Sequence, residues 1–156
     1  MKLQNYIADQ ARLNAEEVFR YAAAVPEDKL DWIPLEGARS VIDMCREIAK
    51  CPDWAYSVVT GEAEPPDEGR VKQKAEMAAW KTVEDCRTVC YEKLQRYTDM
   101  IREIPDEQLC KTKWLPFNGG REHTYLEMLD YPRWNFNYHL GQIAYVQKMY
   151  GDNEIY

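Results

Sequence analysis

Residues 134–147 are best suited to chemistry, because a histidine lies there inside a strong helical pattern. At 3.6 residues per turn, one face of the predicted helix is polar for two turns and apolar for the next. That face carries Asn135, His139, Gln142, Ile143 and Val146. An unpaired buried amide or imidazole costs roughly 1–3 kcal/mol, so these polar groups require partners. They are either satisfied interior groups or one wall of a ligand or metal site inside a bundle.

Glu47 is the second candidate, because it interrupts an apolar helical stripe that includes Met44, Ile48 and Cys51. Glutamate is rarely buried without a partner. Its carboxylate either reaches solvent or an arginine, or is aimed into the bundle, where it would bind a metal, a proton or a polar network. The sequence leaves both alternatives open.

The other reactive residue types form no recognisable catalytic or metal-binding pattern. The five cysteines are odd in number and scattered, unlike those of a secreted disulfide scaffold. Cys86 and Cys90 lie four residues apart, but no second pair has zinc-like spacing, so we predict core thiols. His123, the only other histidine, is expected at the surface or at a helix cap.

Composition narrows the range of partners. The chain has 156 residues, which indicates a single domain spanning residues 1–156. Its net charge of −7 argues against nucleic acid and against an anionic membrane surface. No apolar run approaches the roughly 18 residues of a membrane span, and no signal-peptide core follows Met1. We therefore expect a cytoplasmic protein.

Hydrophobic periodicity predicts the elements that position the candidate residues. Helices are expected over residues 2–24, 41–60 and about 82–104, and in a last region that begins at the cap Thr124 and ends before Gly151. Pro132 either kinks this last helix or starts a new one. Residues 61–80, with Pro65 and Pro66, and residues 106–122 are expected to be irregular, apart from a short helical turn at residues 75–79. No stretch shows strand-like alternation. The pattern predicts an all-α fold, a four-helix bundle with long crossover connections.

Several short motifs resemble one known family. They are Trp32-Ile33-Pro34, Gly37-Ala38-Arg39-Ser40-Val41, Asp53-Trp54, Thr60-Gly61-Glu62, Tyr138-His139-Leu140-Gly141-Gln142-Ile143 and Tyr150-Gly151. Together they resemble the DinB-like (damage-inducible) family of four-helix-bundle proteins. The resemblance implies a divalent metal such as zinc or nickel, held by one histidine of the second helix and two of the last. It also implies, for some members, transferase or isomerase activity that depends on a low-molecular-weight thiol.

Carried over by position, the three metal ligands fall on Glu47, Asn135 and His139, so only one histidine is retained. Asn oxygen is a poor zinc ligand, which makes this degenerate triad weaker than three imidazoles. We therefore predict either no cofactor or a weakly bound divalent metal. The predicted function is metal-free small-molecule binding, or an interaction role, with a pocket between the second and fourth predicted helices.

The alternative function is a divalent-metal-dependent enzyme resembling the thiol-dependent S-transferases and isomerases of that family. The predicted partners are a small-molecule ligand and, by analogy with related bundles, a second copy of the chain in a homodimer. Neither a nucleic acid nor a membrane is expected as a partner.

Overall fold

Four long helices dominate the computed structural model, which describes residues 2–62 and 67–156. They are α1 (Leu3–Ala23), α2 (Val41–Thr60), α4 (Val83–Glu103) and α6 (Tyr125–Met149). Two shorter helices, α3 (Asp67–Ala79) and α5 (Asp106–Leu109), lie in the connections. An antiparallel hairpin joins β1 (Thr112–Leu115) to β2 (Arg121–Thr124). The predicted all-α four-helix bundle is confirmed.

The long helices pack in the cyclic order α1, α4, α2, α6, so α1 faces α2 across the bundle. The chain therefore crosses the bundle between α1 and α2, and again between α4 and α6. Crossover connections were predicted, and residues 106–122 form one of them, whereas residues 61–80, also expected to cross, join the neighbouring helices α2 and α4. None of the described helices is long and apolar enough to cross a membrane.

Side-chain caps define where three of the long helices begin. Ser40 Oγ accepts a hydrogen bond from the amide of Asp43 at the start of α2. Thr82 and Thr124 each form a capping box, with Asp85 and Glu127 respectively. These bonds satisfy amide groups that a helix leaves free in its first turn, which fixes the register of α2 and α6.

Two prolines lie inside the helices that carry the candidate site, Pro52 in α2 and Pro132 in α6. A proline has no amide hydrogen, so the carbonyl four residues earlier loses its helical partner. Both carbonyls find donors on α4. Cys90 Sγ lies 3.7 Å from the Ile48 oxygen, and the Tyr97 hydroxyl donates between the Met128 and Leu129 oxygens, at 3.2 and 3.1 Å. α6 therefore runs on through Pro132 as one helix.

Two expectations for the connections were wrong. Residues 112–115 and 121–124 pair as strands, although no strand was predicted, because strands of four residues are too short to show alternation. The turn between them uses the positive φ angles of Gly119 and Gly120. The connection over residues 61–80, expected to be irregular apart from a turn at residues 75–79, contains the 13-residue helix α3. Pro65 and Pro66 lie outside the described residues.

Four of the cysteines are buried free thiols, as predicted for the core, whereas Cys110 is exposed. Burial raises the pKa of Cys45, Cys51, Cys86 and Cys90. All four are therefore neutral thiols at physiological pH, which makes them poor nucleophiles.

Candidate functional site

The packing of α2 against α6 brings the three candidate residues together. Glu47 Oε1 lies 3.1 Å from His139 Nε2 and 3.5 Å from Asn135 Nδ2. His139 and Asn135 are one helical turn apart and almost completely buried, with 1% and 3% of their surface exposed. The face that the sequence assigned to α6 is therefore turned toward α2.

Both alternatives for Glu47 are realised, one by each carboxylate oxygen. Oε1 faces His139 in the interior, whereas Oε2 pairs with the guanidinium of Arg39 at the edge of the bundle. Arg39 is held there by a second bond, from Nη2 to the Asp43 carbonyl at 2.8 Å. The hydrogen bond from His139 is the largest of the effects that lower the pKa of Glu47 to about 2, and Arg39 adds to it.

His139 lies between two hydrogen-bond acceptors, since its Nδ1 is also 2.8 Å from Gln142 Oε1. A carboxylate can only accept, so Nε2 carries a proton and donates it to Glu47. If the Gln142 oxygen faces the ring, Nδ1 donates as well and the ring is an imidazolium. If that amide is turned over, its NH₂ donates to Nδ1 and the ring is neutral. In both states Nε2 has no lone pair free.

Asn135 is only half satisfied. Its amide nitrogen points at Glu47, an orientation that avoids placing two acceptors against each other. Its Oδ1 is buried and has no hydrogen-bond partner among residues 2–62 and 67–156. A buried acceptor without a donor costs about 1–3 kcal/mol, so this oxygen marks a place where a donor would be stabilising.

A cleft of about 200 Å³ opens beside these groups. Its lining, which we call the polar cleft, consists of Glu47, Lys50, Cys51, Trp54, Tyr131 and Asn135. Lys50 brings a positive charge, and no carboxylate in the described part of the chain forms an ion pair with it. The Trp54 and Tyr131 rings contact each other, with centroids 4.7 Å apart, and form an aromatic wall.

The residues present do not fit a tightly held zinc or nickel ion. The strongest donor, His139 Nε2, is protonated against Glu47, and the other oxygen of Glu47 is occupied by a cation. Asn135 presents its NH₂ group rather than its oxygen. In the described ranges, no cluster of three or more His, Cys, Asp or Glu residues could hold a metal. The role of Glu47, Asn135 and His139 as metal ligands stays a prediction.

The sequence interpretation missed Lys50 and Tyr131, which line the polar cleft. Helical spacing carries a signal for both. Lys50 lies three residues after Glu47 on α2, and Tyr131 lies four residues before Asn135 on α6, so each shares a face with a candidate residue. Arg39 and Trp54 are part of the motifs that resemble the DinB-like family, but the sequence around them did not indicate that they would contact the site.

Neither a protein-family model nor a curated protein matches the sequence. Solved structures do match. One is YfiT from Bacillus subtilis, which is described as a probable metal-dependent hydrolase with an unusual four-helix bundle topology. Its TM-score is 0.72 at 15% sequence identity, and the alignment covers 97% of this chain and 90% of YfiT.

Two further structures support the same fold. The DinB-like protein YjoA, also from Bacillus subtilis, has a TM-score of 0.63 at 14% identity, covering 97% of this chain and 96% of its own. The colibactin self-resistance protein ClbS was solved in complex with double-stranded DNA. Its TM-score is 0.67 at 13% sequence identity, and the alignment covers 93% of this chain and 95% of ClbS. At these identities the likeness concerns the fold. The chain therefore has the four-helix-bundle fold of these structures, one of which is described as DinB-like.

Proposed function

We propose that the polar cleft binds a small organic molecule without a metal. The observation that carries this proposal is the buried Oδ1 of Asn135, which lacks a donor beside a cleft that also contains Lys50. Ligand sites commonly combine a concave, partly aromatic surface with a few convergent polar groups. The polar cleft has this composition.

The chemistry of the lining specifies the ligand class. Asn135 Oδ1 requires a hydroxyl or amine donor, while the ammonium group of Lys50 favours a carboxylate or a similar anion. Glu47 does not repel that anion strongly, because Arg39 and His139 surround its charge. Trp54 and Tyr131 add an apolar wall. A small hydroxy- or amino-carboxylate, with or without an aromatic ring, meets all three demands.

Titration with glycolate and with mandelate, followed by calorimetry, tests the proposal. Lys50→Gln removes the charge and Asn135→Ala removes the acceptor, and each is expected to weaken binding about five- to ten-fold. Lys148→Gln, in the last turn of α6 outside the polar cleft, is the matched control and leaves the affinity unchanged. Equal binding by all four proteins, or no binding of either acid to the native chain, would contradict the proposal.

A divalent-metal-dependent enzyme is the second candidate, and one contact favours it. Histidines that ligate metals usually donate their other N–H to an oxygen acceptor, and His139 Nδ1 has Gln142 Oε1 at 2.8 Å. Elemental analysis of the purified protein separates the candidates. Near-stoichiometric metal in the native protein that is absent from His139→Ala would support the enzyme. Metal-free protein whose melting temperature does not change on addition of Zn²⁺ or Ni²⁺ would support the metal-free cleft.

We further propose a cytoplasmic homodimer that does not bind nucleic acid. The net charge of −7 disfavours phosphate contacts, and exposed apolar side chains on α6, including Tyr138, Tyr145 and Met149, offer a surface for a second copy. Light scattering after gel filtration measures the mass of the particle and so distinguishes a monomer from a homodimer.

Because ClbS was solved with double-stranded DNA, filter binding to a DNA duplex is the test for nucleic-acid binding. Salt-sensitive retention would refute the expectation.

A further inference from the structure

A second cavity lies on the other side of the Trp54–Tyr131 wall, between α2, the hairpin and the start of α6. Its volume of about 320 Å³ falls within the range of small-molecule sites. We call it the aromatic pocket. It is lined chiefly by Trp54, Phe117, His123, Met128, Tyr131 and Trp134.

The aromatic side chains form a continuous row. Phe117 and Tyr131 pack against Trp54 with ring centroids 5.2 and 4.7 Å away, and Trp134 packs against Tyr131 at 5.6 Å. Each of these pairs is tilted, so the row presents both ring faces and ring edges to the cavity. Flat aromatic ligands gain from offset-stacked and edge contacts of this kind.

His123 adds one polar group to this largely apolar surface. It was expected at the surface or at a helix cap, but it lies on β2, paired with Lys113 across the hairpin, and it lines the aromatic pocket. Its Nε2 is buried and has no hydrogen-bond partner anywhere in residues 2–62 and 67–156. A neutral imidazole nitrogen accepts or donates one hydrogen bond according to its tautomer. A ligand hydroxyl or N–H that reaches Nε2 would supply the missing bond.

The charges around the pocket disfavour a cationic ligand. Aromatic rows also bind quaternary ammonium groups, usually beside a carboxylate. Among the described residues of the lining, Glu127 is the one carboxylate, and both of its oxygens already accept hydrogen bonds. It accepts from the Thr124 amide at 2.7 Å and from Arg121 Nη2 at 2.9 Å. A quaternary ammonium group also has no N–H to offer His123. A neutral ligand therefore fits better.

We infer that the aromatic pocket binds a neutral, planar aromatic molecule that carries an N–H or hydroxyl group, with its ring against Trp54, Tyr131 and Trp134 and its polar group at His123. This site is distinct from the polar cleft, whose charged and amide groups do not line it. The two linings share Trp54 and Tyr131.

Indole and 1-methylindole are matched probes, because only indole has an N–H group. Saturation-transfer NMR titrations on the native chain should show tighter binding of indole. In His123→Phe, which keeps a ring but removes the nitrogen, indole is expected to weaken about five-fold while 1-methylindole is unchanged. Trp134→Ala should weaken both probes about ten-fold. Tyr6→Ala, at an exposed aromatic residue of α1 outside the pocket, should alter neither.

Three results would overturn the inference: no binding of either probe to the folded native chain, equal affinities in native protein and Trp134→Ala, or tighter binding of choline than of indole. Circular dichroism of each variant establishes that it is folded. These variants leave Lys50 and Asn135 unchanged, so a failure here would not bear on the ligand proposed for the polar cleft.

Discussion

Replacing Glu47 with glutamine tests the electrostatic account of the site. The substitution keeps the size of the side chain and an oxygen that can accept from His139, but it removes the charge that Arg39 and His139 stabilise. We expect Glu47→Gln to be less stable than the native chain near neutral pH, and we expect the difference to vanish in acid.

The magnitude follows from the pKa of Glu47, which the folded state lowers from 4.5 to about 2. Taken in full, such a shift corresponds to about 3.4 kcal/mol of the free energy of unfolding. The side chain is 42% exposed, so solvent screening reduces this to about 1–2 kcal/mol. Because the folded pKa is the lower one, this stability is fully present above pH 4.5. It is lost as the pH falls toward 2.

Urea denaturation followed by circular dichroism, repeated between pH 7 and pH 2.5, measures the difference between the two proteins. Other carboxylates with lowered pKa values, such as Asp85 and Glu127, are common to both and cancel. Glu17→Gln is the control, since Glu17 forms only an exposed ion pair with Arg20. A destabilisation by Glu47→Gln that is independent of pH, or no larger than that of Glu17→Gln, would refute the reasoning.

Three further predictions follow. Tyr97→Phe should lower the free energy of unfolding by about 1–2 kcal/mol, because it leaves the Met128 carbonyl unpaired. In a Pro132→Ala background the same substitution should cost less than half as much, because the amide N–H of residue 132 is restored and can pair with that carbonyl. Gly120→Ala should destabilise the chain by about 1–3 kcal/mol, because φ at this position is +77° and the new Cβ would lie 2.7 Å from a tryptophan ring on β1. Gly119→Ala should cost less, because a Cβ there would have open space around it. Native protein should expose one thiol, that of Cys110, to a disulfide reagent and all five thiols in urea; more than one reactive thiol in native protein would contradict the burial of the others.

The long helices could be predicted from the sequence because their signals are local and redundant. The start of α2 at Val41 and its end at Thr60 were both marked, by a serine cap and by Gly61 with its positive φ. The hairpin carried no such redundancy. Its strands contain four residues each, and its register depends on contacts with α2, such as the bond from Lys113 Nζ to the Val58 carbonyl at 2.7 Å.

The candidate site could be predicted only in part. Face periodicity and the family resemblance together indicated Glu47, Asn135 and His139, since each lies on an inward face. The way Glu47 divides its two oxygens between Arg39 and His139 was not accessible, because it depends on the loop that positions Arg39. The aromatic pocket was missed for a related reason. His123 meets the rings of α2 and α6 only through the hairpin.

Two prolines interrupt the backbone hydrogen bonding of the helices that form the polar cleft. Pro52 and Pro132 each free a carbonyl one turn before their own position, and each directly follows a residue of the polar cleft, Cys51 and Tyr131 respectively. A helix with an unpaired interior carbonyl would bend or admit water. α4 prevents this with Cys90 and Tyr97, although it contributes no side chain to the lining of the cleft. The geometry of the cleft therefore depends on a helix that does not line it, and substitutions on α4 should alter the cleft through α2 and α6 rather than through direct contact.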